Sequence, residues 1–251
     1  MGQSDWMVTG VARGPRAASQ MLIWASAAFV LASVLFVMTP QADIATAGLF
    51  YRPDHGFAGK VAWVEGIRSA FKALYVASLV LALAALGWAW LQSDRRAGSV
   101  TRRALVIVLV LVVGPGLVAN VLLKDQMGRA RPAQTDLFGG TKAFTPPLVP
   151  AGQCRRNCSF VSGEAASMFA LFFGLAVVSV RRARAMVAAG VVVGATVGLI
   201  RMSQGAHFLS DVVFAGIFMA MTAAALKVLV MDMWPSGSRR PVPGLDPAVM
   251  R

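Results

Sequence analysis

Apolar residues in this chain come in long unbroken runs, and the polar residues collect between the runs. Six runs, at residues 21–38, 71–91, 104–123, 164–180, 186–200 and 212–231, are long enough, or nearly so, to cross a hydrocarbon core that needs about 20 helical residues. A helix satisfies its own backbone hydrogen bonds in lipid, so the pattern predicts an all-α polytopic membrane protein with six transmembrane helices. The fourth and fifth runs are short, and each is expected to borrow residues from its flanks. Span three holds Gly114-Pro115-Gly116, which predicts a kink. Span five carries Gly190, Gly194 and Gly198 at four-residue spacing, which allows close helix approach, inside the chain or across a dimer.

Composition agrees with a bilayer as solvent. Of 251 residues, 57% are hydrophobic and only 14% charged, too apolar for disorder, and two cysteines cannot staple a small secreted scaffold. The net charge of +13 would fit nucleic-acid binding if the basic residues formed one patch. They are instead scattered in short groups, a pattern that fits anionic headgroups and topology control, with no nucleic-acid partner. Arg95, Arg96, Arg102 and Arg103 lie between spans two and three, and Arg181, Arg182 and Arg184 between spans four and five. Short basic connections mark the cytoplasmic side, and Arg13, Arg16, Arg239, Arg240 and Arg251 agree. The expected layout is one membrane-embedded domain over residues 1–251, with cytoplasmic tails at 1–20 and 232–251. The first apolar run is longer than a signal-peptide core, so it is expected to be a retained anchor. Trp88, Trp90 and Trp234 are expected as interfacial anchors.

Two connections, residues 39–70 and 124–163, are long enough to serve a function, and both face outward in this topology. The first, with Phe50, Tyr51, Phe57 and Trp63 among charges, could lie on the membrane surface or be a solvated connector.

Charge near hydrocarbon is costly without a partner or a purpose, which singles out three groups at outer span ends. Lys124 to Pro132 follows span three, Ser159 to Glu164 precedes span four, and Arg201, His207 and Asp211 precede span six. The topology brings all three to one face. Lys124, Arg131 and Arg201, with Arg129 nearby, supply cations suited to phosphate oxygens. Ser162-Gly163 offers a hydroxyl and free N–H groups at a helix start. His207 and Asp211 share a helical face, so the carboxylate could accept Nδ1–H and leave Nε2 as nucleophile or base. An isolated pair of this kind is more often a cap or a structural hydrogen bond; the cations around it favour chemistry.

The order Lys124-x6-Arg131-Pro132, Ser162-Gly163, Arg201-x5-His207-x3-Asp211 resembles the three-part signature of the type 2 phosphatidic acid phosphatase superfamily, membrane lipid phosphatases related to vanadium haloperoxidases. The resemblance covers about half the chain, from Lys124 to Asp211, and is most similar to the bacterial lipid A phosphatases. It implies that His207 attacks phosphorus, Asp211 orients it, and Lys124, Arg131, Ser162, Gly163 and Arg201 hold the phosphoryl group, with no metal and no cofactor. It departs from the family at Val161-Ser162-Gly163-Glu164, where the family has a histidine that protonates the leaving alkoxide. Glu164 could be that acid, and it is carried forward as a catalytic candidate. It could instead be a carboxylate that pairs with an arginine, or the mark of a lost activity. His55 is the other histidine that could supply an acid. Cys154 and Cys158 could form a disulfide in an oxidising compartment.

The expected function is a metal-independent phosphatase of a bacterial inner membrane, with a periplasmic site and a phosphohistidine intermediate. Its substrate would be lipid A, phosphatidylglycerophosphate, phosphatidate or undecaprenyl pyrophosphate, met in the bilayer. A lipid phosphoryl transferase and a non-catalytic lipid-phosphate binder are the alternatives, and the oligomeric state is left open.

Overall fold

The computed structural model describes residues 16–92, 97–179 and 181–232. Arg13, Arg95, Arg96, Trp234, Arg239, Arg240 and Arg251, which carried part of the topology reading, fall outside them, and of Arg16 only the backbone is described. In chain order the elements are α1 (Arg16–Met38), α2 (Gln41–Gly48), a hairpin of β1 (Tyr51–Arg52) and β2 (Gly56–Phe57), α3 (Ala62–Leu91) and α4 (Ala97–Val112). Beyond α4 the chain winds on as a π-helix over Val113–Lys124 and a last turn, α5 (Asp125–Met127). Then follow α6 (Gly163–Val178), α7 (Ala183–Ser203) and α8 (Leu209–Lys227), the last continued by a π-helical turn to Asp232.

Five helical stretches among the described residues are long and apolar enough to cross a membrane, and α6, at 16 residues, is a shorter apolar helix. The architecture is helical and polytopic, as the runs predict. Helix α6 packs against α4, α7 and α8, and 11 of its 16 residues are buried. Protein rather than lipid surrounds it, which explains how a short helix keeps its place. Helices α1 and α3 contrast with it. Val64 and Ala89 are the buried residues of α3, while Val76, Val80 and Leu81 stand exposed, as do Ile23, Trp24, Val30 and Leu31 of α1. Exposed apolar faces of this extent fit a lipid contact. Trp88 and Trp90 are exposed at the end of α3.

The glycines of α7 settle their own role. A side chain at Gly190 would strike Phe172 and Phe173, one at Gly194 would strike Phe169, and one at Gly198 would strike Val212. The stripe is how α7 lies against α6 and α8, so its work is packing inside the chain. At Gly114-Pro115-Gly116 the helix does not end; its winding widens to the π form from Val113 onward, which accommodates the missing N–H of Pro115.

The largest difference from expectation is residues 39–70. The segment is a packed element rather than a bare solvated connector. It forms α2, the hairpin and the first two turns of α3, and it packs on the second long connection through Phe57, Phe138 and Phe208, with Tyr51 and Phe138 ring centroids 5.4 Å apart. Helix α3 starts at Ala62, nine residues before the apolar run, because Glu65 and Arg68 in its first turns find partners instead of water.

Candidate active site

Gly205, at φ +67°, turns the chain out of α7, and His207 sits in the short connection before α8. The ring is 2% exposed. Its Nδ1 lies 2.7 Å from the carbonyl oxygen of Ser159. A carbonyl can only accept, so Nδ1 carries the proton and Nε2 keeps a free lone pair. Asp211 lies too far from Nδ1 to take that hydrogen bond, and its oxygens are engaged elsewhere. Oδ2 accepts from the Ser159 hydroxyl at 2.5 Å and from the Phe208 N–H at 2.8 Å, and Oδ1 from Arg129 at 2.6 Å. It stands 3.6 Å from Nδ1 as a nearby negative charge and fixes the loop that carries the acceptor. Burial lowers the pKa of His207 to about 4; Asp211 opposes the fall and the charges of Lys124 and Arg201 add to it. At neutral pH the imidazole is therefore the unprotonated base.

Arg129 is not one more cation facing outward. Gly128, at φ +58°, ends α5 and turns the chain so that Arg129 enters the interior, 1% exposed. Its guanidinium donates to Asp211, to Ser210 Oγ at 2.8 Å, to Asp43 Oδ2 at 2.8 Å and to the Thr145 carbonyl at 2.8 Å. The plane lies over Phe208, 4.4 Å from its centroid, a contact that suits a delocalised cation. Asp43, from α2, also accepts from the N–H and hydroxyl of Ser210. Burial raises the Asp43 pKa, Arg129 pulls it down and Asp211 pushes it up again, with a net rise. One guanidinium thus serves two buried carboxylates, and α2 is tied to the start of α8.

The groups expected to hold phosphate are arranged differently. Ser162 is the residue before α6; its N–H donates to the Asp211 carbonyl at 3.1 Å, while its buried hydroxyl caps nothing and has no hydrogen-bond partner among the described residues. Arg201 Nε likewise makes no hydrogen bond among the described residues, but it is ion-paired with Glu164, and its guanidinium donates to Gln204 Oε1. Lys124 is buried at the end of the π-helix. A Cβ at Gly163 would stand 3.2 Å from Lys124 Nζ and 2.9 Å from Asn120 Oδ1, so a larger residue would have to displace the ends of both side chains at the start of α6. Arg131 donates to the Asn157 carbonyl at 2.8 Å and lines, together with Arg201, an open cavity of about 530 Å³. A buried hydroxyl without a partner, beside cations at a helix N-terminus, is an arrangement suited to an anion.

Glu164, on the first turn of α6, is held by Arg68 of α3 in a fork, with Nε–oxygen distances of 3.0 and 2.9 Å and an Nη2 distance of 2.7 Å. Arg201 Nε and Lys72 Nζ stand 3.5 and 3.7 Å away. Cys154 and Cys158 are joined in a disulfide within the loop whose Asn157 carbonyl holds Arg131. His55 is exposed in the hairpin turn, with its backbone N–H bonded to Arg52.

Residues 103–234, more than half of the chain, match the model of the PAP2 superfamily. The chain belongs to the PAP2 superfamily. It is 37% identical over 201 residues to the lipid A 4'-phosphatase of Francisella tularensis subsp. novicida (strain U112), a match covering 78% of this chain and 90% of that protein. The lipid A 4'-phosphatase of Rhizobium etli is 37% identical over 63% of this chain and 62% of its own length. That of Rhizobium leguminosarum is 44% identical over 47% of this chain and 51% of its own. No solved structure matches. This PAP2 member is a membrane lipid phosphatase, a phosphoric monoester hydrolase, and its apolar helices and bacterial relatives fit a multi-pass protein of a bacterial inner membrane.

Besides Ser210, which joins Arg129 to Asp43, three participants escaped the sequence reading. Ser159 stood in a quoted stretch without a role, and Asp43 and Arg68 lie 86 and 96 positions from their partners. A lone acid inside the apolar stretch Gln41 to Gly48 was a usable signal, since a carboxylate among apolar neighbours needs a buried partner.

Proposed function

We propose that this PAP2 member removes the 4'-phosphate of lipid A, with His207 as nucleophile. Nε2 of His207 attacks phosphorus, the bond to the sugar oxygen breaks, and the phosphoryl group stays on the ring as a phosphohistidine. Water then cleaves the phosphorus–nitrogen bond and releases inorganic phosphate. Lys124, Arg131, Arg201, the Ser162 hydroxyl and the N–H groups at Gly163 bear the charge on the phosphoryl oxygens. Asp211 and Ser159 are the orienting pair, and no cofactor or metal takes part. The observation that carries this reading is His207 itself, with Nδ1 protonated on a carbonyl, which leaves Nε2 its lone pair.

Glu164 is assigned the second of its three readings, a carboxylate that holds Arg68 and tempers the charge of Arg201. The Arg68 fork supports this, because an acid must carry a proton and two guanidinium groups favour its loss. The departing sugar oxygen takes its proton from water admitted through the cavity beside Arg131 and Arg201.

The topology that goes with this chemistry has six crossings, α6 being the short one, with both termini cytoplasmic and the active site periplasmic. The exposed Arg181 and Arg182 between α6 and α7 support that orientation. Phosphorus NMR of lipid A from cells expressing the protein tests the assignment. Loss of the 4' signal with the 1 signal retained supports it; loss of the 1 signal alone, or of neither, overturns it.

A further inference from the structure

The donors around His207 account for a phosphate and say nothing of what the phosphate is attached to. The cavity of about 530 Å³ beside them does. Arg131 and Arg201 form one wall, so it opens from the phosphate site itself, and Lys60, Glu65, Gln134 and Gln204 supply its other polar side chains. Two of these are already set in place, one by the Arg201 guanidinium and one by the backbone amide of Arg131. Gln204 accepts from Arg201 and donates its Nε2 to Glu65 Oε2 at 3.3 Å, and Gln134 Oε1 accepts the Arg131 N–H at 3.0 Å, which leaves Gln134 its amide donors. Glu65 has one oxygen on Arg68 at 2.6 Å and the other on Gln204, and a carboxylate has acceptor capacity beyond two bonds.

The chemistry of that wall discriminates between leaving groups. A diacylglycerol offers only ester oxygens, which accept; Lys60 and Gln134 can serve these, but Glu65 accepts too and would go unmatched. A hexosamine ring offers hydroxyl and amide donors for Glu65 and ring and hydroxyl acceptors for Gln134 and Lys60. Volumes of about 300–1,000 Å³ are those of small-molecule sites, and a monosaccharide fits well within this one. We propose that the cavity is a sugar subsite, which seats the phosphorylated hexosamine ring and selects glycolipid phosphates over glycerolipid phosphates. The proposal rests on the phosphatase reading and deepens it.

Ala62 and Glu65 test it, both on the cavity wall, with Glu65 hydrogen-bonded to Gln204 and not directly to Arg201. Equilibrium binding is measured on full-length protein in detergent, in a His207→Ala background so that nothing is turned over. The probes are a diacylated glucosamine 4-phosphate and dioleoyl phosphatidate. Ala62→Trp fills the cavity, and Glu65→Gln keeps its shape while replacing the acceptor-only carboxylate. The expected result is weaker binding of the glucosamine lipid, by at least about tenfold for Ala62→Trp and a smaller factor for Glu65→Gln, with phosphatidate changed less than about twofold. Equal weakening of both lipids, or no change in either, overturns the subsite. Should Ala62→Trp fail to fold, Glu65→Gln decides alone by the same ratio. Failure of the phosphatase reading looks different: wild-type protein would release phosphate from neither lipid, whatever the binding ratio.

Discussion

Two sets of polar groups meet at His207, and they differ in how well they are paired. Asp211, Arg129, Asp43, Ser159 and Ser210 are all buried, and their hydrogen-bonding groups are matched by one another or by nearby backbone. Ser162 and Arg201 are buried too, yet the Ser162 hydroxyl has no partner among the described residues, and Arg201 Nε makes no hydrogen bond and only faces Glu164 at 3.5 Å. The first set fixes where His207 points. The second is the set proposed to receive the charge of the substrate. Satisfied networks contribute stability and unsatisfied buried groups cost it, so the two sets should respond in opposite ways to truncation.

The widest separation of activity from stability is expected at His207. His207→Ala should lower phosphate release by at least about 10⁴-fold, as loss of a nucleophile does, while the melting temperature stays near wild type. A residual rate within tenfold of wild type would remove the ring from the chemistry. Next comes Arg129→Ala, which strands two buried carboxylates and should cost about 3–5 kcal/mol together with most of the activity. Thermal melting in detergent reads it, and an unchanged melting temperature would mean that the clamp is not formed. Ser162→Ala inverts that outcome, with kcat/KM down about 10–100-fold at a melting temperature equal to or above wild type. If Ser162→Ala is instead as destabilising as Arg129→Ala, the distinction between the two sets fails.

Smaller effects sharpen the same contrast. Glu164→Gln should raise KM more than it lowers kcat, with no change in the alkaline limb of the pH profile; loss of that limb would restore Glu164 as the acid. His207 should stay neutral from pH 8 down to about 5 and protonate near 4. In the unfolded chain the ring takes its proton near the ordinary 6.5, so between 6.5 and 4 the unfolded state binds a proton that the native state does not. Its contribution makes stability fall as pH drops through that window and level off below it. Ring NMR in a His55→Gln variant measures the titration, and protonation at 6 or above would contradict the buried, neutral ring.

What the chain reveals without a structure follows from the range of each interaction. The helices were legible because apolar runs are local, and α6 read as short because it is short. The spacing from Lys124 to Arg131 and from Arg201 to Asp211 was legible because each motif lies on one continuous piece of chain. Asp43, Arg68 and the inward turn of Arg129 were not, since their partners come from distant segments and a lone charge does not name its counter-ion. The Ser159 carbonyl could not be read at all, because a backbone acceptor leaves no mark on residue identity. Glu164 was legible as a departure but ambiguous in meaning until Arg68 stood beside it.

The most direct test of the central claim is to trap the covalent intermediate. Lipid A labelled with ³²P at the 4'-position is mixed with wild-type protein, quenched within one turnover and digested, and the labelled peptide is sequenced. The account predicts an acid-labile, alkali-stable label on His207 that disappears in His207→Gln together with turnover. Turnover that persists in His207→Gln, or label on another residue, would contradict it.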